Sequence, residues 1–337
     1  MTASAPEPGH LDVFGWRADD HGCGAYRVRF PFEGLAGLGH TVEHSTRLPA
    51  HVREDATTVV VGQRVCKPGP SELWQALAQQ GRRLVYELDD DLFSVDASSP
   101  LAHDFYSQPD IRANIRRNIE VAAAVTVTTE PLAELVARWN PNVHIVPNAV
   151  PDWLVDHTPP VRDDGTVTIG WGGSATHDMD FDQVRGPLGQ FLRRRPSAVL
   201  HCIGVDYTRG LRLRPAQARY TPWIARTENF LTAIDYHVAI APLRPHVFNQ
   251  SKSALKALEA GALGIPVVAS AVRPYEDYVR HGETGYLVRR DHEWGRYLRA
   301  LTEDPGLRAA MGAAGREQAR AHTVSAVAPL WQKAIFE

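Results

Sequence analysis

The chain has 337 residues, a formal net charge of -3, 44% hydrophobic and 22% charged residues, and three cysteines. At about 100–200 residues per domain this length predicts two domains, each long enough for its own core. The near-neutral charge removes any sequence-wide argument for nucleic acid or an acidic membrane surface, so no nucleic-acid partner is expected. Cys23, Cys66 and Cys202 have no paired spacing, which argues against a disulfide framework or a structural zinc and for a reduced, cytoplasmic setting. Residues 1–10 are polar, contain Pro6 and Pro8 and lack an apolar stretch; they read as a flexible terminus, not a signal peptide. No apolar run approaches the ~20 residues of a membrane span. Only four of the 36 basic residues are lysine (Lys67, Lys252, Lys256, Lys333), and two of these lie within five positions of each other. Wholesale replacement of lysine by arginine is the plain reading. Where such a chain retains lysine, a specific need gains weight.

Short apolar runs alternate with amphipathic segments, the pattern of βα units and parallel sheets. A strand at 11–16 leads to apolar residues at helical spacing over 24–38, which Pro31 must break or kink. A second strand ending at Glu43 is followed by strands at 57–61 and 83–88, with a helix at 71–80 between them. Then come a helix at 111–123, a strand at 124–129, a helix at 132–139 and a strand at 143–147. Residues 151–165 hold three prolines and little periodicity, and read as a linker between a first domain (11–150) and a second (166–321). The second series has strands at 166–171, 198–204, 236–243, 266–270 and 285–288. Its helices fall at 181–194, 253–261 and 274–280, and three more close the chain near 292–302, 306–321 and 323–335, the last forming a terminal segment (322–337). The expected architecture is α/β: two Rossmann-like parallel-sheet domains facing a cleft, with the C-terminal helices packing back toward the first. Open α/β sheets bind ligands at the carboxyl ends of their strands, so residues just after strands deserve scrutiny.

Two such places stand out in the second half. After the strand at 166–171 comes Gly172-Gly173-Ser174-Ala175-Thr176-His177-Asp178. Adjacent glycines let backbone N–H groups approach a ligand, and the helix that follows offers its positive end to an anion. An ordinary turn capped by Thr176 or Asp178 accounts for the same residues. His177 is a candidate to touch phosphate or sugar. The second place is the loop from Arg244 through Asn249 to Ser251, and the helix beginning near Lys252 with Ser251 or Ser253 as its cap. Helix-start N–H groups at Ser253 and Ala254 and the Lys252 ammonium suit a phosphate. Glu259, two turns beyond Lys252 among Leu255, Leu258 and Ala262, is expected to be a partly buried carboxylate in need of donors. A ribose diol would supply them, and so would a structural pairing with Lys256.

The stretch "KSALKALEAGALGIPVVAS", followed by "VRHGETGYLV", resembles the C-terminal half of GT-B glycosyltransferases, most of all the retaining family 4 group. The resemblance extends over 166–321. It implies transfer of a sugar from a nucleotide-diphosphate donor, with UDP or GDP as the nucleotide, with retention at the anomeric carbon and without a metal or other cofactor. It places Glu259 on the ribose hydroxyls and Ser251, Lys252 and Ser253 near the diphosphate. The group often has glutamate where this chain has Ser251; some members have an Asn-x-x-Lys-Ser arrangement that matches Asn249, Lys252 and Ser253. The basic pair that often follows the first strand of this domain is missing here, which leaves Lys252 and Arg244 to supply positive charge. The acceptor, whether small molecule, glycan or lipid, is not indicated, and neither is the oligomeric state.

In the first half, Gly22-Cys23-Gly24 with Arg27 resembles the glycine-rich loop that these enzymes place over the diphosphate or near the acceptor. It lacks the third glycine of the dinucleotide fingerprint. Asp89-Asp90-Asp91 follows a strand and invites a metal reading; the resemblance instead puts Asp89 and Asp90 beside the reacting sugar. Arg209, Arg212, Arg214 and Arg219 read as a solvated basic loop. Two alternatives belong to other classes: a nucleotide-binding oxidoreductase, with Glu43 as the ribose-binding acid, and a catalytically silent GT-B scaffold, motivated by Ser251.

Overall fold

A computed structural model describes residues 11–161 and 164–337. The expected N-terminal flexible stretch, residues 1–10, lies outside them. The chain forms two compact units: one runs to Ala149 and takes in Val324–Glu337, and the other is Val150–Thr323.

The first unit is built on β1 (Val13–Trp16), β2 (Val42–Ser45), β3 (Val59–Gln63), β4 (Leu84–Leu88), β5 (Ala124–Val127) and β6 (Val143–Ile145), in the order β2-β1-β3-β4-β5-β6. All pairings are parallel. β1, β3, β4 and β5 are buried along their whole length. This is why they read as continuous apolar runs: helices cover both faces of such a sheet. Between β1 and β2 the backbone is helical from Gly22 to Gly37, but Ala25–Arg29 forms a π-helical turn just before Pro31. Proline lacks an N–H and crowds the carbonyl four residues earlier. The widened turn carries that defect, and the helix continues through it. The terminal helix Val324–Phe336 buries Val327, Ala328 and Trp331 in this unit.

The second unit is built on β7 (Val167–Gly172), β8 (Ala198–Gly204), β9 (Ala218–Pro222), β10 (Val238–Ala241), β11 (Val267–Ser270) and β12 (Gly285–Val288), in the order β12-β11-β10-β7-β8-β9. These pairings too are parallel. From β7 the chain builds outward through β8 and β9, then returns to lay β10 on the other side of β7. The topological switch point is therefore between β7 and β10. The helix Leu255–Ala262 crosses Pro305–Ala319 at backbone distance. A Cβ on Gly312 would stand 2.0 Å from the Gly264 carbonyl oxygen, and one on Gly261 would stand 3.0 Å from that of Gly315.

Several local expectations need correction. β9 and the helix Thr227–Thr232 occupy a stretch read as loop. Arg219 lies on β9 and pairs with Asp235, so it is not part of a solvated basic face. Within the expected linker, Asp152–Val155 makes a 3₁₀ turn that sends Leu154 and Val155 into the second core.

Candidate functional site

The site starts from β7. Gly170 has no Cβ because the Tyr236 ring occupies its place, 1.9 Å from where one would be. Gly172 gives way in the same manner to Phe230. Beside these packed rings lies a small recess of about 20 Å³ lined by Gly170, Gly172, Phe230, Tyr236, Lys256 and Glu259 among others. The Tyr236 hydroxyl is buried there without a hydrogen-bond partner. Beyond the strand, Gly173 donates its N–H to the Ile203 carbonyl at 3.0 Å. Gly204, at φ +100°, packs its Cα against the Gly173 carbonyl, where a Cβ would be 2.2 Å from the oxygen. Only glycine tolerates both that backbone conformation and that approach. Trp223, just past β9 and 53% exposed, lies against Gly204.

Lys256 reaches up from the first turn of Leu255–Ala262 and donates to the Gly172 carbonyl at 2.6 Å. Its ammonium is 5.3 Å from the centre of the Trp171 ring, and a Cβ on Gly173 would lie 2.9 Å from it. Burial and the Lys252 charge lower its pKa, against the opposing pull of Glu259 and Asp180. Lys252 stands 4.3 Å over the Phe248 ring. Glu259, 8% exposed, shares the recess with Lys256.

The loop after β10 is tied to the helix after β7 by Asp180, a residue that sequence reasoning missed. One carboxylate oxygen accepts from the Arg244 N–H at 3.0 Å and from Asn249 Nδ2 at 2.9 Å. The other faces His177 Nδ1 at 2.9 Å. Burial alone would raise the Asp180 pKa, but the bonds from His177, Arg244 and Asn249 outweigh it and hold the group ionised. A carboxylate only accepts, so His177 Nδ1 carries the proton. Burial, then the Lys256 charge, lower the His177 pKa to about 4. The imidazole is therefore neutral near pH 7 and presents Nε2 as an acceptor. The one signal in the sequence was position: Asp180 lies in the first turn of Asp178–Arg193, where acids are favoured.

Gly172, Gly173, Ser174, His177, Arg244, Asn249, Ser251, Lys252, Ser253, Ala254 and Glu259 thus fall on elements that meet at the switch point of one sheet. Three details differ from expectation. The helix begins at Leu255 with Ala254 as its N-cap and no side-chain cap, so neither Ser251 nor Ser253 caps it. Lys252 precedes the helix and does not share a helical face with Glu259. The lysine that does so is Lys256, three residues away. Asp178 also has another role than the expected cap, accepting from the Tyr207 hydroxyl.

The first-unit candidates are committed within their own unit. Asp19 Oδ1 accepts from the N–H groups of His21 (2.8 Å) and Gly24 (3.1 Å). A Cβ on Gly24 would be 2.1 Å from the Asp19 carbonyl oxygen, so this glycine serves a close approach within the chain. The Gly22–Gly24 turn thus already holds an anion of its own. Arg27 is 1% exposed; it pairs with Glu87 at 2.7 Å, donates to the Val146 carbonyl at 2.8 Å and lies 4.8 Å from the Trp331 ring centre. It is an interior strut and offers no charge to a diphosphate. Burial raises its partner Glu87 to a pKa of about 7. Asp89 and Asp90 are both gripped by Arg64, the second at 2.7 Å. Arg64 sits just after β3 with φ +49°, a conformation that costs a non-glycine residue about 1 kcal/mol or more. This fork occupies the carboxylates that invited a metal reading. Among the described residues, no group of three or more His, Cys, Asp and Glu is arranged to hold a metal ion.

Two Rossmann-like units, each a six-stranded parallel sheet, define the GT-B fold. The chain superposes on sucrose-phosphate synthase from Thermosynechococcus elongatus with a TM-score of 0.67 at 17% identity, covering 96% of this chain and 98% of the other. It matches Anabaena HepE in complex with UDP-glucose with a TM-score of 0.67 at 14% identity, covering 96% and 99%. WaaG, a glycosyltransferase involved in lipopolysaccharide biosynthesis, matches with a TM-score of 0.64 at 14% identity, covering 97% and 100%. Residues 250–318 match the family Glycosyl transferases group 1. Over 68 residues the chain is 43% identical to the D-inositol 3-phosphate glycosyltransferase of Pseudarthrobacter chlorophenolicus, 20% of this chain and 16% of that protein. The corresponding protein of Rhodococcus jostii is 44% identical over 61 residues, 18% of this chain and 14% of its own. The matched stretch is thus about one sixth of the length of these curated relatives. The chain is a GT-B fold protein whose second unit carries a group 1 glycosyltransferase segment.

Proposed function

We propose that this protein transfers a sugar from a nucleotide-diphosphate donor to an acceptor hydroxyl, with retention at the anomeric carbon. The observation that carries this reading is the Lys256 ammonium, held 2.6 Å from the Gly172 carbonyl beside Glu259 in the recess at the β7–β10 switch point. A cation, a glycine turn and a buried carboxylate side by side answer the three polar parts of a nucleoside diphosphate: phosphates, close backbone approach and ribose diol.

On this reading Glu259 accepts from the ribose hydroxyls, and Trp223 offers a flat face to the base. Lys256 and Lys252 draw the diphosphate against the Gly172–Gly173 backbone. The bond from the anomeric carbon to the phosphate oxygen breaks with its electrons going to the diphosphate, whose developing charge the two ammoniums stabilise. The acceptor oxygen bonds to the anomeric carbon, and its proton passes to the departing phosphate. The leaving group is then its own base, which suits a site whose His177 is neutral and weakly basic. His177 Nε2 accepts a hydroxyl hydrogen of the donor sugar. The two lysines supply the charge that a metal supplies elsewhere, and UDP-glucose in the HepE complex supports a uridine or related donor.

The test is calorimetric titration of the full chain with UDP-, GDP-, dTDP- and ADP-sugars and with NAD(H). Binding of at least one nucleotide sugar, weakened about tenfold or more in Glu259→Ala by loss of charge-assisted bonds, is the expected result. Binding of NAD(H) alone would establish the oxidoreductase alternative. Silence toward every ligand would favour the inactive scaffold.

A further inference from the structure

In the first unit, at the carboxyl ends of β1 and β2, three basic groups gather. Arg17 follows the last residue of β1 and donates its backbone N–H to the Ser45 carbonyl at 2.9 Å. His44 is on β2 opposite Gly15, and Arg29 ends the π-helical turn behind β1. Arg17 Nε and His44 Nδ1 are both buried and both lack a hydrogen-bond partner. Buried polar atoms without partners are rare in native proteins, and an unfilled ligand position is one of the usual reasons.

The nearby acids do not fill the position. Asp20 reaches Arg17 at 2.9 Å but is 69% exposed, and Glu33 stands 3.7 Å from Arg29 at 57% exposure. Such pairs are screened and weak. Glu43 points to the other face of the strand, where its carboxylate meets His51 at 3.1 Å. Burial, then the charge of Arg17 and further that of Arg29, hold the His44 imidazole below its ordinary pKa against the weaker opposing pull of Asp20, which marks a place of net positive potential.

We propose that Arg17, Arg29 and His44 form an oxyanion site in the first unit that takes a phosphate monoester group. Guanidinium N–H groups present a planar fork that matches tetrahedral phosphate, and His44 Nδ1 supplies a further donor. The location agrees with the rule that open α/β sheets take ligands at strand carboxyl ends. On the sugar-transfer reading the phosphate is carried by the acceptor, but the site itself does not depend on that reading.

The experiment follows histidine side-chain signals by NMR in the full chain during titration with inorganic phosphate, with acetate in parallel. His44 is assigned from the spectrum of His44→Gln. Saturable movement of the His44 signals is expected, with phosphate binding several-fold more tightly than acetate. Arg17→Gln and Arg29→Gln should each weaken it about tenfold or more, the worth of one charge-assisted bond. If one variant does not fold, the other decides. His44 signals that stay in place up to about 50 mM phosphate, or move equally in wild type and both variants, would overturn the site. Tighter binding of acetate would replace phosphate by carboxylate and overturn the assigned class. UDP, followed in the same spectra, reports at His177, so failure of the donor site and failure of this site remain distinct.

Discussion

Replacement of Lys256 by methionine separates charge from packing. Methionine retains an unbranched apolar stem against Trp171 and removes the ammonium that bonds the Gly172 carbonyl at 2.6 Å. Two unit charges about 4 Å apart interact by about 4 kcal/mol at an effective dielectric constant near 20. Lys256 is only half-buried, so solvent reduces this toward the 1.5–3 kcal/mol typical of a charge-assisted bond. A loss of about 2–3 kcal/mol is roughly 30- to 150-fold in affinity for UDP or GDP by calorimetry. Stability should change far less. The lost bond is worth about 1.5 kcal/mol as a half-buried charge-assisted bond, and removing a charge whose pKa burial has already lowered offsets part of it. The shift in Tm should therefore stay within about 4 °C. Nucleotide affinity within threefold of wild type, together with a large drop in Tm, would refute the reasoning and leave Lys256 as a clamp on the β7 turn alone.

His177 predicts a pH dependence. Its folded-state pKa, about 4, lies below the ordinary value of 6.5, so the unfolded chain takes up the proton first as pH falls. Stability is present in full above about pH 6.5 and is lost toward pH 4, by up to roughly 3 kcal/mol for this one group. Urea unfolding at pH 7 and pH 4.5 should show the loss, and His177→Gln should remove most of the difference. Equal losses in both proteins would assign it to other groups. Gly24→Ala tests the first-unit turn: a Cβ 2.1 Å from the Asp19 carbonyl forces the backbone apart, at about 1–3 kcal/mol in urea unfolding. Affinity for UDP or GDP should stay within threefold of wild type. A tenfold loss would return the Gly22–Gly24 loop to the nucleotide site.

The parallel sheets were legible because a strand covered on both faces must be largely apolar, as β1, β3 and β8 are, with Gln63 and His201 the buried polar exceptions. The edge strand β9 was not, since Ala-Arg-Tyr-Thr-Pro carries the polarity of a half-exposed strand and resembles a loop, and the equally polar edge strand β2 was read to end at Glu43 where it runs on to Ser45. In the site, glycines and helix-start residues announce themselves by type and position. Asp180 did not, because its role arises from a loop 64 residues away that closes on it. Lys252 and Lys256 are four residues apart in sequence, and nothing in that spacing tells which one starts the helix. Arg27 misled for the opposite reason. An arginine beside a glycine turn looks available, and only the tertiary fold reveals Glu87 and Trp331 enclosing it.

The glycine crossing of Leu255–Ala262 with Pro305–Ala319 has a mechanical consequence. With main chain resting on main chain at Gly312 and Gly264, no side chain intervenes that could yield by changing rotamer, so the helix bearing Lys256 and Glu259 has no room to slide or roll. It works as an anvil. Compliance at this end of the sheet falls to residues 244–254, a loop with one helical turn at Val247–Gln250 that Asp180 ties to the helix after β7. A variant library aimed at a new donor should diversify that loop and leave the anvil untouched, since any Cβ added at Gly312 would pry the two segments apart.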